Sequence, residues 1–137
     1  MPRRESIDLD GFAHANPIPA ASRIGPLLFS GVLTGRDAAT GTMPATLDEQ
    51  CVAVFARVRE LMHAAGGSTD HIAKMTFWLA DYRDRAALNR EWLAMFPDPA
   101  SRPARQAMAA SLDGGCLIQC DLVAVMDDAG GAGPASP

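Results

Sequence analysis

Residues 46–67 read TLDEQCVAVFARVRELMHAAGG, and residues 72–80 read IAKMTFWLA. The first stretch opens with a capping box, in which Thr46 can accept from the backbone three residues on while Glu49 reaches back. Pro44 precedes it, and Leu47, Cys51, Val54, Phe55, Val58, Leu61, Met62 and Ala65 follow at three- and four-residue steps, one apolar stripe of a helix. Gly66-Gly67 stops the helix. The second stretch alternates instead. Ala73, Met75, Phe77 and Leu79 fall on one side and Lys74, Thr76 and Trp78 on the other, which predicts a strand with two unequal faces.

Working outward, Asp81 is the expected N-cap of a second helix running to Phe96 and ending before Pro97, with Leu88, Trp92 and Met95 as its buried stripe. Arg105–Ser111 and Cys116–Met126 read as strands joined in a hairpin around Asp113-Gly114-Gly115. Toward the N-terminus a short strand is expected near Ser6–Gly11. An irregular segment through Pro17 and Pro19 follows, and then a buried strand Leu27–Leu33 with Gly31 as a bulge or a close backbone approach. Asp37–Gly41 is the next turn. Strands, helix, strand, helix and two strands predict an α+β fold, a mixed sheet with both helices on one face. Residues 1–126 form the expected single domain, and the Ala/Gly/Pro/Ser tail at 127–137, too poor in apolar residues to pack, is expected to be disordered.

With 12 basic and 16 acidic residues the formal charge is 12 − 16 = −4, and Lys74 is the only lysine. A phosphate backbone needs a basic surface, so the charge argues against nucleic acid as a partner. The cysteines at 51, 116 and 120 are an odd set. Four residues apart on a strand, Cys116 and Cys120 would lie ~13 Å apart, too far for a disulfide or a shared zinc ion. Buried thiols in a reducing compartment are expected. The charged start Met1-Pro-Arg-Arg-Glu-Ser leads into no apolar signal region, and no apolar run reaches spanning length. These points predict a cytoplasmic chain without membrane contact.

No Gly-rich phosphate loop, His-Glu-x-x-His pair or Gly-x-Ser-x-Gly elbow occurs, and His14, His63 and His71 lack metal-ligand spacing. Neither a metal nor a cofactor is expected. His63 falls on the polar side of the first helix and His71 just ahead of a strand. His14, in the irregular segment, is the histidine best placed to line a site. Arg105 begins a strand, where a guanidinium is either exposed or paired. On the last strand Cys116, Ile118, Cys120, Leu122, Ala124 and Met126 make one apolar face. Gln119 and Asp121 sit on the other, facing solvent, a cavity or a subunit boundary.

Gly25-Pro-Leu-Leu-Phe-Ser-Gly31, the Asp37…Thr40-Gly41 turn, Ala64-Ala-Gly66…Asp70-His-Ile-Ala-Lys74, Leu88-Asn89, Pro103-Ala-Arg105 and Ile118-Gln-Cys-Asp121…Ala124-Val125 occur in that order. Together they resemble the Rid family (RidA/YjgF, also labelled endoribonuclease L-PSP) over residues 14–126. The resemblance implies a chorismate-mutase-like (YjgF-type) fold, a homotrimer with clefts between subunits, and hydrolysis of small enamines or imines to 2-keto acids and ammonia. It puts the carboxylate-gripping arginine on Arg105, the cleft serine-glycine pair on Ser30-Gly31 and the helix asparagine on Asn89. Three positions depart from the family pattern. A tyrosine is replaced at about Ile18, a cysteine becomes Ala107, and the water-holding glutamate becomes Gln119. An amide can orient water but cannot take its proton, so His14 or Asp121 is the expected substitute acid or base. A carboxylate-binding trimer without catalysis is the alternative function, with an endoribonuclease third.

Overall fold

The computed structural model describes residues 3–9 and 17–127. The strands are β1 (Arg4–Ile7), β2 (Ala21–Ile24), β3 (Leu27–Ser30), β4 (Leu33–Thr34), β5 (Ile72–Leu79), β6 (Ala104–Ala109) and β7 (Ile118–Val125), and the helices are α1 (Leu47–Ala64) and α2 (Ala86–Met95). They form one mixed sheet in the order β1-β2-β3-β7-β5-β6, with β4 also on β7.

Helix α1 begins and ends where its local chemistry dictates. The Glu49 N–H donates to the Thr46 hydroxyl at 3.2 Å, and the Thr46 N–H donates to the Glu49 carboxylate at 3.3 Å. At the other end Gly66 turns left-handed at φ +83°, and the Gly67 N–H reaches the Met62 carbonyl at 2.8 Å. The predicted stripe is buried, apart from Leu47, which is half-covered.

Both helices cover the same face of the sheet. Phe77 of β5 stacks on Phe55 of α1 at 5.7 Å and meets Trp92 of α2 edge-on at 6.3 Å, and Trp92 packs on Phe96 at 4.7 Å. Leu28, Leu33, Met75, Ile118, Cys120, Leu122 and Ala124 complete that face, all buried.

Several expectations are corrected. Asp81 does not cap α2. Its carboxylate accepts from the Arg83 N–H at 3.0 Å and the Arg83 guanidinium at 3.3 Å, closing a local turn, and the helix starts only at Ala86. Asp113-Gly114-Gly115 does make a turn, with the Cys116 N–H on the Asp113 carbonyl at 3.1 Å, but no hairpin. The unit β5-α2-β6 returns β6 parallel to β5, so β7 pairs antiparallel on the opposite edge of β5. The run Leu27–Leu33 is two strands broken at Gly31-Val32, each pairing with β7. A Cβ on Gly31 would come no nearer than 3.7 Å to the Ala20 carbonyl oxygen, so no close approach demands glycine there. The proline-rich start carries no local sign of β2, which pairs with both β1 and β3. β2 turns into β3 through Gly25-Pro26, with Gly25 at φ +57°. The first strand lies at Arg4–Ile7, not near Ser6–Gly11, and residues 10–16, like residues 128–137 of the expected tail, are outside the described residues. A bulge between Ile72 and Lys74 turns Ala73 outward, against its predicted inward place.

Gln50 occupies a position on the α1 stripe and is 0% exposed. Its amide nitrogen donates to the Pro44 carbonyl at 2.7 Å and the Gly115 carbonyl at 2.9 Å, while its oxygen accepts from the Leu117 N–H at 2.7 Å. One side chain thus ties the start of α1 to the loop that delivers β7. Gln50→Leu leaves those three backbone groups without partners, each worth about 1–3 kcal/mol when buried. We expect a loss of at least about 2 kcal/mol in urea unfolding. A change within experimental error would show that water replaces the amide.

Candidate functional site

Side chains alternate across a strand, so register assigns each candidate to a face. Arg105 lies opposite Met75, which lies opposite Leu122. Arg105 is therefore on the helix-covered side, at the edge strand β6. Its guanidinium carbon sits 5.1 Å from the centre of the Trp92 ring of α2, a cation–π placement. Among the described residues no carboxylate pairs with it. Burial, and after it the neighbouring Arg85 guanidinium, hold its pKa below the ordinary arginine value. The local chemistry is a half-buried cation with an aromatic backing and, among the described residues, no counter-ion.

Gln119 lies opposite Trp78 and Thr34, on the face that neither helix covers. It lines an open cleft of about 260 Å³ with Thr34, Arg36, Ser111, Asp113 and Cys116. Asp121 is on the same face, opposite Thr76, which accepts a long 3.5 Å bond from the Gln106 amide. Burial raises the Asp121 pKa, and Lys74 pulls against that shift. Within one chain, then, Arg105 and Gln119 stand on opposite sides of the sheet.

The remaining candidates divide. The Ser30 hydroxyl accepts from the Leu122 N–H at 2.9 Å and donates to the Gly31 carbonyl at 2.8 Å. It bridges the ladder where β3 leaves off. Asn89 is exposed on α2, three residues before Trp92, and Ala107 is half-buried on β6 opposite Phe77. Ile18 is exposed. His14 lies outside the described residues. His63 is exposed, and His71 meets Asp127 at 3.2 Å. Cys51, Cys116 and Cys120 are free and buried, and burial pushes the Cys51 thiol up to about 12, so these thiols are poor nucleophiles. Among the described residues no group of acidic, histidine and cysteine side chains could hold a metal ion.

Two residues of this region were not singled out from the sequence. Trp92 read only as core, and Arg85 read as nothing. The only local sign for Trp92 is its place on the buried stripe of α2, which does not show that an arginine of a later strand lies on its ring.

The sequence model of the endoribonuclease L-PSP family matches residues 13–126, and the chain belongs to that family, which includes the Rid and RutC proteins. Protein mmf2, mitochondrial, of Schizosaccharomyces pombe is 34% identical over 95 residues, 69% of this chain and 72% of that protein. The crystal structure of RidA from the Antarctic bacterium Psychrobacter sp. PAMC 21119 is similar with a TM-score of 0.82 at 25% identity, covering 89% of this chain and 99% of that one. Escherichia coli TdcF, crystallised with bound serine, has the same fold, with a TM-score of 0.81 at 22% identity over 90% of this chain and 99% of that one. The expected α+β architecture, with a mixed sheet and two helices on one face, is the YjgF fold.

Asp121 offers a test of this face. Its folded pKa is raised, so between the unfolded and folded values the folded chain holds a proton that the unfolded chain has released. Stability therefore falls as pH rises through that interval. Asp121→Asn should raise the urea midpoint at neutral pH, and the gain should vanish near about pH 3, where both states are protonated. A lower midpoint for the variant at neutral pH would show that the carboxylate has a partner worth more than its burial costs.

Proposed function

We propose that the chain is a Rid-type hydrolase that binds a small imine or enamine by its carboxylate and releases a 2-keto acid and ammonia. One observation carries this reading: the half-buried Arg105 guanidinium lies on Trp92 with no carboxylate beside it among the described residues. A planar fork of this kind takes a carboxylate through two parallel hydrogen bonds. Serine, the molecule bound in TdcF, is of the same size and carries the same group.

The site works between subunits. Arg105 and Gln119 cannot meet within one chain, but the open sheet face that carries Gln119 is the face a second copy would cover. It exposes Leu27, Phe29 (47%), Met108 and Val125 (49%), apolar surface that water disfavours. A homotrimer closed through this face sets Gln119 of one subunit against Arg105 of the next. Water held by the Gln119 amide oxygen adds to the imine carbon, a proton passes to nitrogen, and the C–N bond breaks to give the keto acid and ammonia. Gln119 orients that water. The proton acceptor is a carboxylate or a second water, and Asp121, two residues along the same face, is the nearest acid on the strand. Ser30 and Gly31 shape the cleft wall at the end of β3, with Asn89, Ala107 and Ile18 at its margins.

The glutamine itself favours a second reading, a trimer that binds small carboxylates without turning them over. A net charge of −4 and a single lysine give the RNA-cleaving reading little surface to work with. The buried thiols suit a reducing compartment, for which we propose the cytoplasm. No helix among the described residues is long and apolar enough to cross a membrane.

Light scattering at micromolar concentration should give a particle of about three times 14.5 kDa. A monomer would remove the shared site. In calorimetric titration, Arg105→Ala should weaken pyruvate binding ~10- to 150-fold, the worth of a charge-assisted bidentate pair. Unaltered binding would make the arginine structural. With imine generated in place and keto acid followed over time, the wild type should turn over slowly, and Gln119→Glu should restore part of the ~10²- to 10⁴-fold that a general base contributes. No turnover in either form, with pyruvate still bound, would favour the binding protein.

A further inference from the structure

Arg85 precedes α2 at its N-terminal cap and has no carboxylate partner among the described residues. Its guanidinium lies 4.6 Å from the Tyr82 ring centre and donates to the Tyr82 hydroxyl at 3.4 Å. It repeats the arrangement of Arg105 on Trp92. Arg85 stands at the start of α2 and Trp92 seven residues further on, about 10.5 Å along the axis, so the two cations flank the first two turns of the helix.

The strand between them leads from one to the other. β6 runs parallel to β5, from Arg105 opposite Met75 through Ala107 opposite Phe77 to Ala109 opposite Leu79. The chain leaves β5 just past Leu79 and enters the segment that carries Arg85. Along this face of β6 only methyl groups follow the arginine, with Ala107 half-buried and Ala109 exposed. Because β6 is an edge strand, one side of this track stays open. The result is a strip of two alanines on one face of β6, with an aromatic-backed guanidinium toward each end.

We propose that this pair of arginines selects dicarboxylates, with Arg105 taking the carboxylate beside the reacting carbon and Arg85 taking a second carboxylate at the far end of a four- or five-carbon chain. The inference rests on the reading of Arg105 as a carboxylate clamp and names the substrate class of that site: imines whose hydrolysis yields a dicarboxylic 2-keto acid. The Arg85 charge is felt at Arg105, where it lowers the pKa alongside burial. Two like charges so placed are relieved by a dianion lying between them. Other arginines nearby are already engaged. Arg83 pairs with Asp81 at 3.3 Å, and Arg102 donates to the Phe96 carbonyl at 2.9 Å.

The test compares 2-oxoglutarate with pyruvate by titration calorimetry on the full chain in its assembled form. Wild type should bind 2-oxoglutarate ~10- to 100-fold more tightly than pyruvate. Arg85→Gln should collapse that ratio toward one, Arg85→Lys should keep part of it, and Arg83→Gln, the same charge change at an arginine paired with Asp81, should leave it. A wild type that binds pyruvate without preferring 2-oxoglutarate overturns the inference alone, as does a preference that survives Arg85→Gln. Failure to bind either acid at millimolar concentration, or binding indifferent to Arg105→Ala, overturns the carboxylate clamp and the inference with it. Equal loss of both acids in Arg85→Gln would mark a general field effect and also overturns the second subsite.

Discussion

The registers of β5 against its two neighbours control what this molecule can do. Met75 faces Arg105 and Leu122 across the sheet, while Trp78 faces Gln119. The side-chain period of a strand is two, so a slip of one residue would move every group to the other face. In the observed register the helix side is finished within the chain, by Phe55, Phe77 and Trp92 in contact. The other side keeps Phe29, Val125, Gln119 and Asp121 uncovered or half-covered. The aromatic core and the two-sided distribution of polar groups therefore come from the same pairing.

The charge at Arg105 is unusual for where it sits. A guanidinium at the edge of a core normally finds a carboxylate or carbonyl groups, as Arg57 does with Glu60 at 3.1 Å and Arg36 with the Gly41 carbonyl at 2.8 Å. Trp92 offsets part of the desolvation through its ring without neutralising the charge. The cation remains available to an anion from solution. The glutamine at 119 has the complementary effect on the opposite face. A neutral amide there adds no negative charge to a face where Asp121 already resists ionisation.

Gln50 shows how the two halves of the fold are held to each other. It lies on the apolar stripe of α1, where a polar residue is costly unless every atom is bonded, and all three of its bonds go to backbone. Its place on the stripe, three residues after Leu47 and four before Val54, was a readable sign that something distant must satisfy it. The identity of that partner was not readable.

The sequence by itself determined what depends on a few neighbouring residues: the capping box and glycine stop of α1, the two faces of β7, the turn at Asp113-Gly114-Gly115, and the ordered motifs that mark the family. The proposed roles of Arg105 and Gln119 were legible only through that resemblance, because spacing alone gives Arg105 as a surface residue. Only the tertiary structure decided which strand each edge of β5 would take, that Asp81 closes a turn and leaves α2 uncapped, that Leu27–Leu33 breaks into two strands, and that Trp92 backs an arginine. Caps, turns and periodicity are energies among residues a few positions apart, written locally in the chain. Strand partners and cation–aromatic contacts join positions far apart in sequence, such as Leu27 with Val125, and their energy exists only once the sheet has closed.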